Sequence, residues 1–122
     1  MSGKILVVDD DPQVLKMMVD TLEARGYATA VASDGEQALK RLDVERFDVV
    51  VSDLAMPTMN GLRLLEAIRA RELGVPVIIV SGFVTRAVAD EALAKGAWAV
   101  LDKPLRSGEL IEIAAQAMRG VA

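Results

Sequence analysis

After a first strand in KILVV (4–8), two uninterrupted apolar runs, in DVVVSD (48–53) and VPVIIVS (75–81), restrict this chain to few architectures. A strand with one wet face alternates apolar and polar residues, whereas a strand apolar at every position must be covered on both sides. A parallel sheet between two layers of helices meets that demand, and the segments between the runs carry helical spacing. Asp11 and Pro12 read as N-cap and first helical residue, with Val14, Leu15, Met18, Val19 and Leu22 on one face and Gly26 closing the helix. Tyr27 to Ala32 is a second, more alternating strand that suits a sheet edge. Asp34 caps the next helix, and Gln37 is placed for a capping box.

After the third strand comes the loop MPTMNG, then an amphipathic helix from Leu62. The fourth strand, Val75 to Ser81, leads to a small-residue helix from about Val84 to Ala94. Ala97 to Asp102 is the fifth strand, and Ser107 reads as the cap of a helix with Leu110, Ile113, Ala114 and Ala117 on one side. Five βα units joined by short connections predict a doubly wound α/β fold. With no linker, repeat or low-complexity segment, one domain is expected over residues 1–122, with no effector domain.

Composition sharpens what such a fold can do. At 52% hydrophobic and 26% charged residues the 122-residue chain is globular, and with 3% aromatics its core must be mainly aliphatic. The net charge of −4 and the lack of a Lys/Arg cluster argue against direct nucleic-acid binding. The absence of cysteine excludes disulfides and thiolate catalysis. The absence of histidine excludes His-based triads, the usual zinc sites and a histidine phosphocarrier role within this chain. No run approaches a membrane span and the N-terminal apolar stretch is too short for a signal peptide, so a cytoplasmic location without membrane contact is expected.

In open parallel sheets the functional crevice lies beyond the carboxyl ends of the strands, near the switch in strand order. Strand one ends in Asp9, Asp10 and Asp11, strand three in Asp53, strand four in Ser81, and strand five leads into Lys103; strand two offers only Ala32 and Ser33. Packed carboxylates repel one another unless a cation intervenes, and an all-oxygen set without His or Cys favours Mg²⁺ (or Mn²⁺). An aspartate beside such a cation, a hydroxyl and a lysine is equipped to accept a phosphoryl group as an acyl phosphate. Singly, each residue has a plainer reading. Asp11 is a helix cap, Ser81 a polar strand end, Lys103 a turn residue, Gly61 a turn or helix-start residue, and Met56 and Met59 pack against the loop. The convergence of four such positions on one edge favours the site.

The ordered set ILVVDDDP, VVSDLAMPTMNG, VIIVSG and KPL resembles the receiver domain of two-component response regulators, the chemotaxis-regulator type, over essentially the whole chain. That resemblance implies a flavodoxin-like (βα)5 fold with a five-stranded parallel sheet in the order 2-1-3-4-5. It also implies Asp53 as the phosphorylated residue. Asp10 becomes a direct Mg²⁺ ligand, Asp9 a partner acting partly through water, and Ala55 a ligand through its backbone carbonyl. Ser81 and Lys103 become contacts to the phosphoryl group, and Lys103–Pro104 a cis peptide.

Two departures stand out. Val100 occupies the position, three before the lysine, where many members carry a switching aromatic; Trp98, expected on the same strand face, reads either as a partner-facing or switching replacement or as a partly exposed packing residue. Phe83, two residues after Ser81 and facing Ala55 across the site mouth, is expected to shield the acyl phosphate from water. The implied function is a non-enzymatic phosphoaspartate receiver, charged by a histidine kinase or histidine phosphotransfer protein, that switches its surface for a downstream partner or a phosphorylation-dependent homodimer. The competing readings are a Mg²⁺-dependent aspartyl-phosphate hydrolase, which would want a second acid where Ala55 stands, and a pseudo-receiver that never takes phosphate.

Overall fold

Strands and helices alternate strictly along the chain in the computed structural model, which describes residues 3–56 and 58–120, and at Ser107 the backbone alone. They run β1 (Lys4–Val8), α1 (Pro12–Glu23), β2 (Ala28–Ala32), α2 (Gly35–Val44), β3 (Val49–Asp53), α3 (Gly61–Ala70), β4 (Val77–Ser81), α4 (Arg86–Ala94), β5 (Ala99–Asp102) and α5 (Ser107–Arg119). All strand pairings are parallel, in the order β2-β1-β3-β4-β5. The fold is the flavodoxin-like one expected. β2 lies at an edge, which explains its mixed pattern, whereas β3 and β4 are buried at every residue.

The sheet divides the core in two. On one side Leu6, Val50 and Ile79 pack with Leu39 and Leu42 of α2, Leu64, Leu65 and Ile68 of α3, and Ala92 of α4. On the other, Ile5, Val7, Val49, Val51 and Ile78 pack with Met18 and Leu22 of α1 and Leu110, Ala114 and Ala117 of α5. Successive residues of a strand serve opposite layers, so an unbroken valine run builds both. Met56 and Met59 belong to the first cluster. None of the described helices is long and apolar enough to cross a membrane.

Helix ends follow the capping chemistry closely. Asp11 accepts from the Gln13 N–H, and Asp34 from the Gln37 N–H at 2.8 Å. The expected box closes one residue early, because the Gln37 carboxamide oxygen accepts from the N–H and hydroxyl of Ser33. Asn60 and Thr85 cap α3 and α4, accepting from Arg63 and Val88. Thr85 thereby starts α4 at Arg86 instead of Val84. At α5 the expectation is corrected: Arg106 is the N-cap, without a side-chain cap bond, and Ser107 is already helical. The Ser107 side chain lies outside the described residues.

Candidate functional site

The sheet order puts β1 between β2 and β3, so the chain crosses to opposite sides after β1 and opens a crevice between the ends of β1 and β3. Asp53 ends β3, in register with Val80 of β4, and is 7% exposed. Asp9 follows β1 and is 1% exposed, its N–H donating to the Ala32 carbonyl. Asp10, the next residue, is exposed. Oxygens of Asp9, Asp10 and Asp53 all lie within 4.8 Å of one another. Asp11 stands apart as the cap of α1.

Lys103 joins the two buried acids. Its Nζ lies 3.0 Å from Asp9 Oδ2 and 3.1 Å from Asp53 Oδ1. The loop that delivers it is fixed by a hydrogen bond from the Lys103 N–H to the Ser81 carbonyl, 2.8 Å, and by a cis Lys103–Pro104 peptide. The other Asp9 oxygen accepts from the Asp11 N–H at 2.9 Å, so both oxygens of Asp9 are engaged. Ser81 is buried at the end of β4, one residue beyond Val80, and its hydroxyl oxygen accepts from the Phe83 N–H at 3.1 Å.

These surroundings perturb the charges. Burial pushes the Asp53 carboxyl above the ordinary carboxylate range; the hydrogen bond from Lys103 opposes this, and the nearby charges of Asp9 and Asp10 add to it. Burial alone would lower the Lys103 ammonium, but hydrogen bonds and charge from Asp9 and Asp53 outweigh it and hold the group above its usual value. Two carboxylates about 4 Å apart repel by roughly 4 kcal/mol at an effective dielectric of about 20. One ammonium cancels only one of three such charges. The all-oxygen cluster therefore fits a hard divalent cation, with exposed Asp10 the acid whose oxygens are most accessible.

The remaining candidates are placed less simply. Ala55 is exposed, two residues beyond Asp53. Val100 and Trp98 do not share a face: Val100 packs with the α2–α3–α4 cluster, whereas Trp98 packs with the α1–α5 cluster. The alternation fails because β5 begins only at Ala99 and Trp98 precedes it. Trp98 therefore packs on the side of the sheet opposite to Val100, in the partly buried packing role. The Phe83 ring is 88% exposed, so in this arrangement it covers nothing and the expected shield is not formed.

Two residues lie directly against Asp53: Gly61, at the helix start expected of it, and Ser52, to which the sequence assigned no role. Gly61 is buried at the start of α3; its N–H donates to the Leu54 carbonyl at 2.8 Å, and a Cβ on it would lie 2.5 Å from the Asp53 carbonyl oxygen. Ser52 donates its hydroxyl to that same carbonyl at 3.0 Å. The available signal was a hydroxyl in an otherwise aliphatic buried strand.

Known proteins share this fold. The family model for the response regulator receiver domain matches residues 5–115. The chain is 37% identical over 111 residues to the DNA-binding response regulator MtrA of Mycolicibacterium smegmatis, covering 91% of this chain and 48% of that protein. It is 37% identical over 110 residues to the transcriptional regulatory protein GlrR of Escherichia coli, covering 88% and 24%. The chain thus spans half or less of these relatives' lengths. Among solved structures, the Francisella response regulator 1452 receiver domain superposes with a TM-score of 0.92 at 33% identity, over 97% of this chain and 98% of that one. The chemotaxis response regulator CheY4 of Vibrio cholerae gives 0.89 at 30%, over 96% and 99%. A matched family model, relatives at this identity and an acid crevice at the switch point agree: the chain belongs to the response regulator receiver family and is a receiver domain of the two-component type.

Proposed function

We infer that Asp53 is the phosphoacceptor, charged from a phosphohistidine on a partner histidine kinase or phosphotransfer protein. The observation that carries this is the Lys103 ammonium bridging Asp53 and Asp9 beside Asp10, at the carboxyl edge of the sheet. A carboxylate oxygen of Asp53 forms a bond to phosphorus as the donor's P–N bond breaks, and the imidazole leaves with the electron pair. Lys103 pairs with the phosphoryl oxygens, and the Ser81 hydroxyl, an acceptor toward Phe83, keeps its own proton to donate to them. Asp10, Asp53, the Ala55 carbonyl and, partly through water, Asp9 are the groups that would hold Mg²⁺. When bound, the cation neutralises phosphoryl charge that the single lysine does not. The chain's role is that of a signalling switch and not a turnover catalyst.

The test is mass spectrometry of the chain after incubation with acetyl phosphate and Mg²⁺. Wild type is expected to gain one phosphoryl group, mapped to Asp53, and Asp53→Asn to gain none. Persistent labelling of the variant refutes the assignment. Rapid turnover of free phosphate esters would instead favour a hydrolase.

Ser81 and Phe83 are tied by a hydrogen bond, so a movement of Ser81 toward a phosphoryl group carries the Phe83 backbone with it. Burying a phenylalanine ring contributes about 1.5–3 kcal/mol, which favours closure over the site mouth. Phe83→Ala is therefore expected to shorten the lifetime of the phosphorylated state several-fold, as followed by loss of label. An unchanged lifetime removes Phe83 from any shielding role.

A further inference from the structure

The phosphoacceptor strand carries one polar side chain that the chemistry above does not use. Ser52 is 0% exposed, set between Val8 of β1 and Ile79 of β4 in a strand that is otherwise valine up to Asp53. A hydroxyl in aliphatic surroundings is costly unless hydrogen-bonded, so a residue needed only to fill space there would be better as alanine. Its hydroxyl donates to the Asp53 carbonyl at 3.0 Å. The β1–β3 ladder ends at the Val8–Ser52 pair, so that carbonyl lies one residue past the last pairing.

The same peptide group is held from two other directions. The Leu54 N–H donates to the Val80 carbonyl at 2.9 Å, and Gly61 packs so closely on the Asp53 carbonyl that no Cβ would fit between them. The Asp53–Leu54 peptide is thus fixed by β4, by the start of α3 and by the Ser52 hydroxyl. Its orientation governs where the Asp53 carboxylate points and where the backbone heads toward Ala55.

We propose that Ser52 is a positioning residue for phosphoryl transfer, locking the Asp53–Leu54 peptide so that the carboxylate stays aimed at Lys103 and the acid pair. This rests on the reading of Asp53 as the phosphoacceptor. The test compares wild type, Ser52→Ala, Ser52→Thr and Asp53→Asn at a temperature where all are folded. Two readouts are taken: the rate constant for labelling by acetyl phosphate at saturating Mg²⁺, and amide hydrogen exchange at Leu54 and Gly61. Ser52→Ala is expected to label about tenfold more slowly, in line with the sensitivity of transfer to small misplacements. Its Leu54 and Gly61 amides exchange faster, its Tm stays within about 5 °C of wild type, and Ser52→Thr, which keeps the hydroxyl, recovers both readouts. Wild-type labelling by Ser52→Ala, or slowed labelling with unchanged exchange at both amides, overturns the proposal. An unlabelled wild type overturns the reading of Asp53 itself, a result separable from the first because exchange still reports on the Ser52 hydrogen bond.

Discussion

In buffer free of divalent cations at neutral pH, Asp53→Asn is expected to melt at a higher temperature than wild type, even as it loses the capacity to be phosphorylated. The folded site raises the Asp53 carboxyl above its ordinary value of 3.8, first through burial. A carboxyl that binds its proton more tightly in the folded state stabilises the fold relative to its ionised form at low pH. That advantage is lost as pH climbs from the unfolded value through the folded one. Above that window a constant penalty for holding the buried charge remains. Asparagine is close in shape, keeps an oxygen for Lys103 and carries no charge, while Lys103 retains Asp9. The melting difference is therefore expected to shrink toward zero as the pH falls below the unfolded carboxylate range.

Mg²⁺ reverses the order. A ligand at about a hundredfold its Kd adds roughly 2.7 kcal/mol to the folded state, or on the order of 10 °C for a domain of this size. Wild type should gain that increment, and a variant missing one of the three carboxylates should gain much less. Circular-dichroism melts across pH, with and without Mg²⁺, measure both effects. A variant less stable than wild type in metal-free neutral buffer would mean that the Lys103–Asp53 pair outweighs the burial of its charge.

Gly61→Ala is expected to destabilise the domain by about 2 kcal/mol, within the range of overpacked sites, and to slow phosphorylation at least tenfold. Helix propensity argues the other way, since alanine is better than glycine by about 1 kcal/mol inside a helix. Contact geometry decides against it. The added Cβ would lie 2.5 Å from the Asp53 carbonyl oxygen, 3.0 Å from Leu54 Cα and 3.2 Å from the Asp53 carbonyl carbon, all backbone atoms of the reactive segment. Either α3 retreats or Asp53 is displaced.

Gly35 supplies the control. It too is buried at the first position of a helix, but the three atoms nearest to a Cβ there all belong to the Met59 side chain, at 2.7–3.0 Å. The Met59 sulfur and Cγ can rotate aside while its Cβ must yield by a few tenths of an ångström, so Gly35→Ala should lower Tm less than Gly61→Ala and change labelling little. Urea melts and labelling rates for the two variants give the comparison, and equal effects would show that the Gly61 contact is not special.

The parts of this molecule legible in its sequence are those governed by short-range rules. Apolar runs located β1, β3 and β4, and Asp11, Asp34 and the acids after β1 announced helix starts and a site edge. Errors collected where tertiary contact overrides local pattern. β5 was expected from Ala97, yet the chain enters the strand only at Ala99, which sends Trp98 and Val100 to opposite layers. Ser107 is a common cap residue, yet the turn begins at Arg106. Phe83 was expected to be tucked in on the strength of its position; its backbone N–H is anchored to Ser81, but that leaves its ring free to point outward. The convergence of Asp9, Asp10, Asp53 and Lys103 on one edge, with Ser81 at the end of β4, was expected from the strand ends. What local pattern did not show is that one ammonium serves two acids, Asp9 and Asp53, with Asp9 buried beside an exposed Asp10.

Lys103 and Asp9 stand 94 positions apart in the chain yet share a hydrogen bond. A ribosome emits the chain from the N-terminal end, so Asp9, Asp10 and Asp53 emerge long before the lysine that tempers their repulsion. During that interval the acids are present without the ammonium that bridges Asp9 and Asp53. The acid crevice is thus completed only after all five strands have been made, by a residue of the last βα connection.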